Sequence, residues 1–509
     1  MNATSSTTMV TAGWAVIGLY AAVILFFVIR GARANRSMAD YALGSLAFSP
    51  VAVGLALAAS MTSAATFIIN PGFIALYGLS GVISYGVVLP LAAVISLVIL
   101  TKGFRRHGTQ VKALSLAQWM GTRYHSRGFG LFFAFLSLLL ITFIVLIVVG
   151  LTKVLSKTLD VSELATLLGI VVFVFGYMMF GGANSMVYTN TVQAGLMLVV
   201  AFVLLGSGYE HFSEGVRGFL DKLGNIDPAL IGTTNPDSFL FRGWFEIIFA
   251  QIVVGVAIVC QPHIITKSLL LKTDRDVNRY LTVGVITELI FFAVVFTGLY
   301  ARLTFPDLTS AGVALKMDGI IPAYVLHEFP VWLGLVVVMG LISAGLSTLE
   351  GLVQALATTL TGDLFTPLGG RLLPVEGTPA RDKALMVISR GIIVLLAVVT
   401  VFLSWDQLRN PKLSVAIFAQ NGVYAYFSAA FVPIIFGMFN ARMPRVAAVA
   451  ASVTAVLVHF TMYYGKLPVP LTSATGENPG VAAAVAICAS VAVGTLLLKL
   501  APEGNHEIS

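Results

Sequence analysis

Apolar positions along this chain occur in long, unalternating runs. Residues 10–29 contain no charged residue, and neither do residues 41–101. About 20 apolar residues are what an α-helix needs to cross a bilayer, and the strands of an outer-membrane barrel would alternate. The pattern therefore predicts an all-α integral membrane protein. We expect residues 10–29 to be a retained span, because no basic segment precedes them and no small-residue cleavage site follows them.

The apolar runs predict thirteen membrane-spanning helices. Their centres lie near residues 20, 58, 91, 140, 171, 198, 254, 291, 346, 395, 426, 455 and 488. No connecting segment is long enough for a soluble domain, although the segment at about residues 210–241 has room for a short helix.

Composition supports a membrane protein and argues against an enzyme. Hydrophobic residues make up 58% of the 509 residues and charged residues only 10%, against about 25% in soluble domains. The mean hydropathy is +0.94. Two cysteines, Cys260 and Cys488, offer no disulfide framework, and no phosphate-binding G-x-x-x-x-G-K motif occurs. The acids Glu246, Glu288 and Glu350 lie on different spans, so we expect no catalytic set and no cofactor.

Positive charge is concentrated on one side of the predicted membrane. Twenty of the thirty Lys and Arg residues lie in residues 30–36, 102–127, 267–279, 371–390, 442–445 and 499. The positive-inside rule places these loops in the cytoplasm, with the N-terminus outside and the C-terminus inside the cell membrane. This topology explains the net charge of +7 without a nucleic-acid partner, and no obligate protein partner is evident.

The second span carries an unusual cluster of polar residues. Residues 58–72, AASMTSAATFIINPG, contain four hydroxyl side chains followed by Asn-Pro-Gly. Polar groups in hydrocarbon are costly unless they find partners. A helix unwound there would expose carbonyl oxygens, which with hydroxyls suit a small cation. The alternative is a small-residue interface that packs two helices closely.

The ninth span offers further oxygen ligands. In SAGLSTLEGLVQ, residues 343–354, Ala344, Ser347 and Thr348 are spaced i, i+3, i+4 and share one helix face. One carbonyl and two hydroxyls there, with two oxygens from the second span, would make a five-oxygen site without a carboxylate. Glu350 points away from this face, as a buried partner or near the inner mouth.

The seventh span also contains a helix breaker. In VCQPHIITK, residues 259–267, Pro262 removes a backbone donor between Gln261 and His263. A lone intramembrane histidine is more often a packing residue than a ligand. Two breaks five spans apart predict an inverted repeat with a site between its halves. We expect units at residues 1–42, 43–210 (first repeat), 211–241 (outer loop), 242–440 (second repeat) and 441–509.

Five motifs in order resemble the sodium:solute symporter family, which includes proline and pantothenate permeases and sodium-coupled sugar and monocarboxylate carriers. They are DYALGSLAFSP, ASMTSAATFI, GGANSMVYTNTVQ, QPHIITK and LSTLEGLVQALATTLTGDLF. The resemblance implies a LeuT-like five-plus-five inverted repeat with extra helices at both ends. It also implies symport of a solute with sodium as the coupling ion.

The family's sodium site falls, by this resemblance, on backbone oxygens of Ala59, Thr62 and Ala344 and on the hydroxyls of Ser347 and Thr348. Asn190 stands where many members carry an aspartate linked to sodium passage or a second cation. We therefore expect one sodium ion.

The solute expected from the resemblance is a small organic carboxylate, with proline as the alternative. QPHII resembles proline permease, whereas SAATFIINPGFIALYGL, NIDPALI and PDLT resemble the pantothenate and monocarboxylate branch. Thr66 stands where sugar carriers have glutamine, and the third span has no acid, which argues against a sugar. The predicted lining is Ser63, Thr66, Phe67, Tyr85 and Gln261. With no intramembrane Arg or Lys expected nearby, recognition would depend on hydroxyls, Gln261 and helix N-termini.

Two rival functions stay open from the sequence. A transporter-like membrane sensor would need a kinase region, which the sequence does not contain. Coupling to protons would need a titrating group in the site, and the hydroxyl cluster offers none.

Overall fold

The computed structural model describes residues 3–501 apart from 46, 112, 272, 311, 371–372, 411–413 and 441. Three basic residues used for the topology, Lys112, Lys272 and Arg371, therefore lie outside the described residues. Nearly all regular secondary structure in the described residues is helical. In hydrocarbon, a helix can satisfy the hydrogen bonds of its own backbone N–H and C=O groups.

Within the described residues, ten helices are long and apolar enough to cross a membrane, and two bent helix pairs, each counted as one span, bring the number to twelve. The predicted thirteen spans are reached only when Glu163–Phe212 is divided into two spans at Gly182. In order they are Ala3–Ala32, Pro50–Met61 with Ala65–Tyr77, Leu79–Arg105, Arg127–Leu159, the two halves of Glu163–Phe212, Phe245–Ile258 with Pro262–Leu270, Asp274–Thr304, Val331–Gly369, Pro379–Arg409, Val415–Phe439, Arg445–Gly465 and Pro479–Leu500.

Glu163–Phe212 holds the fifth and sixth spans. Its 50 residues would extend about 75 Å as one helix, far more than the roughly 30 Å hydrocarbon core. Gly182 divides it, with a non-helical backbone at φ 60° and ψ −163°. The break lies against the loop after the first span, where Asn35 donates to the carbonyls of Phe180 and Gly181.

Two spans are broken, as the sequence predicted. The second bends by 58° between Met61 and Ala65, and the seventh bends by 57° between Ile258 and Pro262. The first break does not lie at Pro71, however. The chain is unwound at residues 62–63, and helix continues through Pro71 after a π-helical turn, Ala65–Ile69. A π turn shifts the hydrogen-bond pattern by one residue, which accommodates the missing N–H of proline.

Shorter elements lie between the spans. They are helices Met38–Leu43, Leu116–Arg123, Gly215–Ile226, Pro228–Ile231 and Met317–Glu328, and strands Thr309–Ser310 and Val313–Ala314, which pair antiparallel. Gly215–Ile226 is the short helix expected in residues 210–241. Met317–Glu328 was not predicted from the sequence.

The second, sixth, eighth and ninth spans pack together around the first break. Their small residues permit close approach: a Cβ at Gly54 would lie 2.7 Å from the carbonyl oxygen of Tyr280 on the eighth span. Large apolar side chains on the outer spans, such as Leu19, Phe202 and Phe402, are exposed toward the surrounding hydrocarbon. The polar residues of the break are thereby held at the protein's centre.

Candidate functional site

The break in the second span releases backbone carbonyls. The helix Pro50–Met61 ends there, and the last N–H that bonds back along it is that of Thr62, to the carbonyl of Ala58. The carbonyl oxygens of Ala59 and Thr62 have no helical partner, because the helix is interrupted at the next two residues, 62 and 63. They point toward the ninth span.

Two ninth-span hydroxyls meet these carbonyls. The hydroxyl of Ser347 lies 2.7 Å from the carbonyl oxygen of Ala59 and 3.2 Å from that of Ala344. The hydroxyl of Thr348 lies 3.2 Å from the carbonyl oxygen of Thr62 and 3.3 Å from that of Ala344. The structure thus brings all five predicted sodium ligands into one buried cluster.

The chemistry of this cluster fits a monovalent hard cation. Its ligands are neutral carbonyl and hydroxyl oxygens, and each hydroxyl has one proton for several nearby acceptors. A cation among them would accept lone pairs from all five oxygens. No group of three or more His, Cys, Asp or Glu side chains that could hold a metal ion occurs in the described part of the chain.

Glu288 corrects the expectation that this site has no acid nearby. It lies on the eighth span, fully buried, and its Oε2 accepts a hydrogen bond of 3.0 Å from the hydroxyl of Thr62. Its Oε1 has no hydrogen-bond partner among the described residues. A carboxyl group therefore adjoins Thr62, a residue of the predicted sodium site, and the argument that no titrating group exists there is wrong. The general rule that an intramembrane acid marks function could have identified it.

Asn190 lies on the other side of the break. Its Nδ2 donates to the hydroxyl of Ser60 at 2.9 Å, and its Oδ1 has no partner among the described residues. The amide contacts the second span but is not a member of the five-oxygen cluster. The acid of this region thus comes from the eighth span, not the sixth.

Glu350 is a buried partner, the first of the two roles considered for it. Its carboxylate accepts hydrogen bonds from the hydroxyl of Tyr177 at 2.6 Å, the hydroxyl of Thr189 at 2.6 Å and Nε2 of Gln193 at 3.0 Å. These donors lie on the fifth and sixth spans. Glu350 therefore connects the ninth span to its neighbours, and among the described residues it makes no hydrogen bond to the five-oxygen cluster.

A cavity of about 90 Å³ adjoins the five-oxygen cluster. It has space for several water molecules. Four of the five predicted lining residues border it, namely Ser63, Thr66, Tyr85 and Gln261. Phe67 does not: its ring is fully buried and packs edge-on against Phe291 at 5.7 Å.

Gln261 brings the second break to this cavity. It has an extended backbone immediately before Pro262–Ile265, and its Nε2 donates to the carbonyl of Ile258 at 3.1 Å. Its Oε1 has no partner among the described residues. Both broken spans therefore present polar groups to one enclosed space.

Sequence reasoning missed three polar residues that border the cavity, namely Asn70, Gln420 and Tyr424. Gln420 and Tyr424 are four residues apart on the eleventh span, so they share a helix face. Polar residues at this spacing in the apolar run 415–439 were the signal for them.

Lys267 corrects the expectation that no intramembrane cation lies near the seventh-span break. It had been placed in a cytoplasmic loop, but it lies in the helical turn Thr266–Leu270 and is buried. It is six residues from Gln261 and borders a second, smaller cavity together with His263.

Comparisons with known proteins show similarity to one family of transporters. The model of the sodium:solute symporter family matches residues 41–455. The sodium/pantothenate symporter of Escherichia coli (strain K12) is 24% identical over 445 residues, covering 86% of each chain.

Solved structures show the same fold. A Na⁺-coupled sialic acid symporter in a substrate-bound outward-open state superposes with a TM-score of 0.78 at 15% identity, covering 96% of this chain and 98% of that one. Mhp1, a nucleobase-cation-symport-1 family transporter, gives a TM-score of 0.55 at 14% identity, covering 93% and 97%. The fold is the LeuT type that the family resemblance implied, and the proteins similar to this chain are transporters, not enzymes. This chain belongs to the sodium:solute symporter family.

Proposed function

We propose that this chain carries a small organic carboxylate into the cell together with sodium, by alternating access. The observation that supports this proposal most directly is that the five-oxygen cluster and the solute cavity meet at the break in the second span. Thr62 belongs to the five-oxygen cluster, and Ser63, the next residue, borders the cavity. An ion that fixes Thr62 also fixes the wall of the solute cavity.

Sodium acts in this proposal by joining the two repeats. The cluster takes carbonyls from the second span and hydroxyls from the ninth, which belong to different halves of the inverted repeat. A bound cation would hold these spans together and order the break beside the cavity. The solute then binds a preformed site, which is how ion and solute binding become coupled.

A carboxylate fits the cavity lining. Hydroxyls of Ser63, Thr66 and Tyr85 can all donate to an anionic oxygen. The short helix after Gln261 starts at the cavity, and a helix N-terminus favours negative charge. The names of the matched sodium/pantothenate symporters also give a carboxylate as solute.

The outer end of the path is closed by an ion pair in this proposal. Lys153 on the fourth span and Asp318 on the helix Met317–Glu328 lie 2.8 Å apart. A small cavity bordered by both reaches Ile69 and Leu146, which also border the solute cavity. With the basic loops in the cytoplasm, this pair lies on the extracellular side.

Sodium entry supplies energy for transport in this proposal. One sodium ion that moves inward across a membrane potential of 100 mV releases about 2.3 kcal/mol.

Uptake into proteoliposomes tests the proposal. The purified protein would be reconstituted, and uptake of labelled pantothenate, pyruvate, acetate and proline measured with an inward sodium gradient and with choline in its place. We expect one carboxylate to enter only with sodium. Equal uptake in choline would reject sodium coupling. Sodium-driven uptake of proline alone would favour the amino-acid alternative, and uptake of none would favour a sensor.

A further inference from the structure

A second cavity adjoins the solute cavity at the break of the seventh span. It measures about 20 Å³ and is formed between the second half of the broken seventh span and the ninth span. Gln261 borders the solute cavity, and Pro262 borders the second one. Ala42 and Ser115, from the segments after the first and third spans, border its far end. These segments belong to the side of the molecule with the basic loops.

Three polar atoms at this cavity are buried without a partner. They are Nζ of Lys267, Nδ1 of His263 and the hydroxyl oxygen of Thr358, on side chains only 3%, 4% and 4% exposed. None of them has a hydrogen-bond partner among the described residues. A buried polar group without a partner is costly, and a buried charge more so. Three together indicate a site for a polar ligand.

Glu350 is not a hydrogen-bond or ion-pair partner of Lys267 in the described structure. No ion pair within 4.0 Å joins Glu350 to Lys267 in the described part of the chain. Both carboxylate oxygens of Glu350 already accept hydrogen bonds from the fifth and sixth spans. Nζ of Lys267 therefore has its hydrogen-bonding capacity available for a ligand.

We propose that Lys267, His263 and Thr358 form an anion subsite that receives the carboxylate of the solute as it leaves the solute cavity toward the basic loops. The proposal depends on the proposed function and deepens it by assigning the counter-charge. An ammonium is a compact point charge with three donors. An imidazole N–H and a hydroxyl add two more donors of the kind a carboxylate accepts.

The cavity is too small for a carboxylate in this conformation, so the subsite would be occupied only in a transient conformation of the transport cycle. A space of about 20 Å³ holds one water molecule and no carboxylate. The 57° break before Pro262 makes the segment Pro262–Leu270 separate from the rest of its span. Movement of that segment away from the ninth span would enlarge the cavity and admit the anion. The same positive charge disfavours sodium there, so ion and solute leave by different contacts.

The test measures transport from each side of proteoliposomes. Half-saturating concentrations of labelled pantothenate, pyruvate, acetate and proline would be determined for influx and for efflux. The variants are Lys267→Met, which removes the charge, Lys267→Arg, which keeps it, and Thr358→Val. Lys102→Met, at an exposed lysine on the third span, is the matched control. Melting temperature with and without sodium verifies that each variant folds.

We expect Lys267→Met to raise the half-saturating carboxylate concentration about tenfold at the face with the basic loops, since a charged hydrogen bond is lost. At the opposite face, the half-saturating carboxylate concentration should change less than about twofold. Inhibition of uptake by pantothenol, a neutral alcohol, should not change at either face. Lys267→Arg should restore most of the affinity. An equal effect on pantothenate and pantothenol, no effect, or Arg no better than Met would overturn the subsite. A wild-type protein that carries none of the four solutes would overturn the proposed function as well.

Discussion

The hydroxyl of Thr62 donates a 3.0 Å hydrogen bond to Oε2 of Glu288, across 226 residues of sequence. The contact places a buried carboxyl beside the backbone carbonyl that the sequence assigned to sodium. If Glu288 is ionised when sodium binds, its charge adds an attraction that neutral oxygens lack. If it is protonated, it acts only as a hydrogen-bond partner.

Replacing Glu288 with glutamine distinguishes these states. We predict that Glu288→Gln raises the half-saturating sodium concentration about tenfold, because a buried charge beside the cation is removed. Solute affinity at saturating sodium should change little. Sodium-dependent uptake is the measurement, with Glu210→Gln, at an exposed acid, as control. An unchanged sodium dependence would mean that the carboxyl is neutral in the working protein.

The ninth-span hydroxyls should control sodium affinity more than solute affinity. We predict that Ser347→Ala and Thr348→Ala each weaken apparent sodium affinity roughly tenfold, because each removes one of five clustered oxygens. Ser452→Ala is the matched control, since this buried serine likewise donates to a carbonyl of a neighbouring span, that of Ala429. Equal sodium dependence in all three variants and the wild type would reject the assignment.

Gln261 should affect the solute and not the ion. Its Oε1 is buried without a partner in the described structure and borders the solute cavity. We predict that Gln261→Ala raises the half-saturating solute concentration by about tenfold at saturating sodium. Sodium affinity should stay within about twofold of the wild type. Phe67→Leu, outside the cavity, is the comparison, and an equal effect of both changes on solute affinity would contradict the cavity assignment.

Glu350 should be a stability residue. We predict that Glu350→Ala lowers the free energy of unfolding by about 3 kcal/mol, because three buried donors lose their acceptor. Glu350→Gln keeps one acceptor oxygen and should lower the free energy of unfolding clearly less. Thermal unfolding of the purified protein measures both. A melting temperature of Glu350→Ala equal to that of the wild type would show that the network contributes nothing to stability.

Gly182 should tolerate no side chain. Its φ of 60° is unfavourable for other residues, and a Cβ there would lie 2.6 Å from Cδ2 of Tyr41. We predict that Gly182→Ala destabilises the protein by at least about 2 kcal/mol in thermal unfolding. Gly176→Ala, on the same helix with no atom within 4 Å of the added Cβ, should be neutral or stabilising by up to about 1 kcal/mol. Similar melting temperatures for both variants would mean that the break tolerates a Cβ.

Much of the architecture was predictable because it depends on local patterns. Runs of apolar residues set the number of spans, since each must cover a hydrocarbon core of nearly fixed thickness. Pro262 and the hydroxyls after Ala58 located the two bent spans, and the first break lies at the hydroxyls, not at Pro71. The helical spacing of Ala344, Ser347 and Thr348 placed them on one face.

What the sequence by itself determined was therefore the helices and the polar face that each presents. Only the tertiary structure decided which faces meet. It brought Glu288 to Thr62, gave Glu350 its three donors, turned Phe67 away from the cavity and buried Lys267 beside His263. The physical reason is that these contacts join residues on different spans, and they depend on how whole helices pack, which no local spacing encodes.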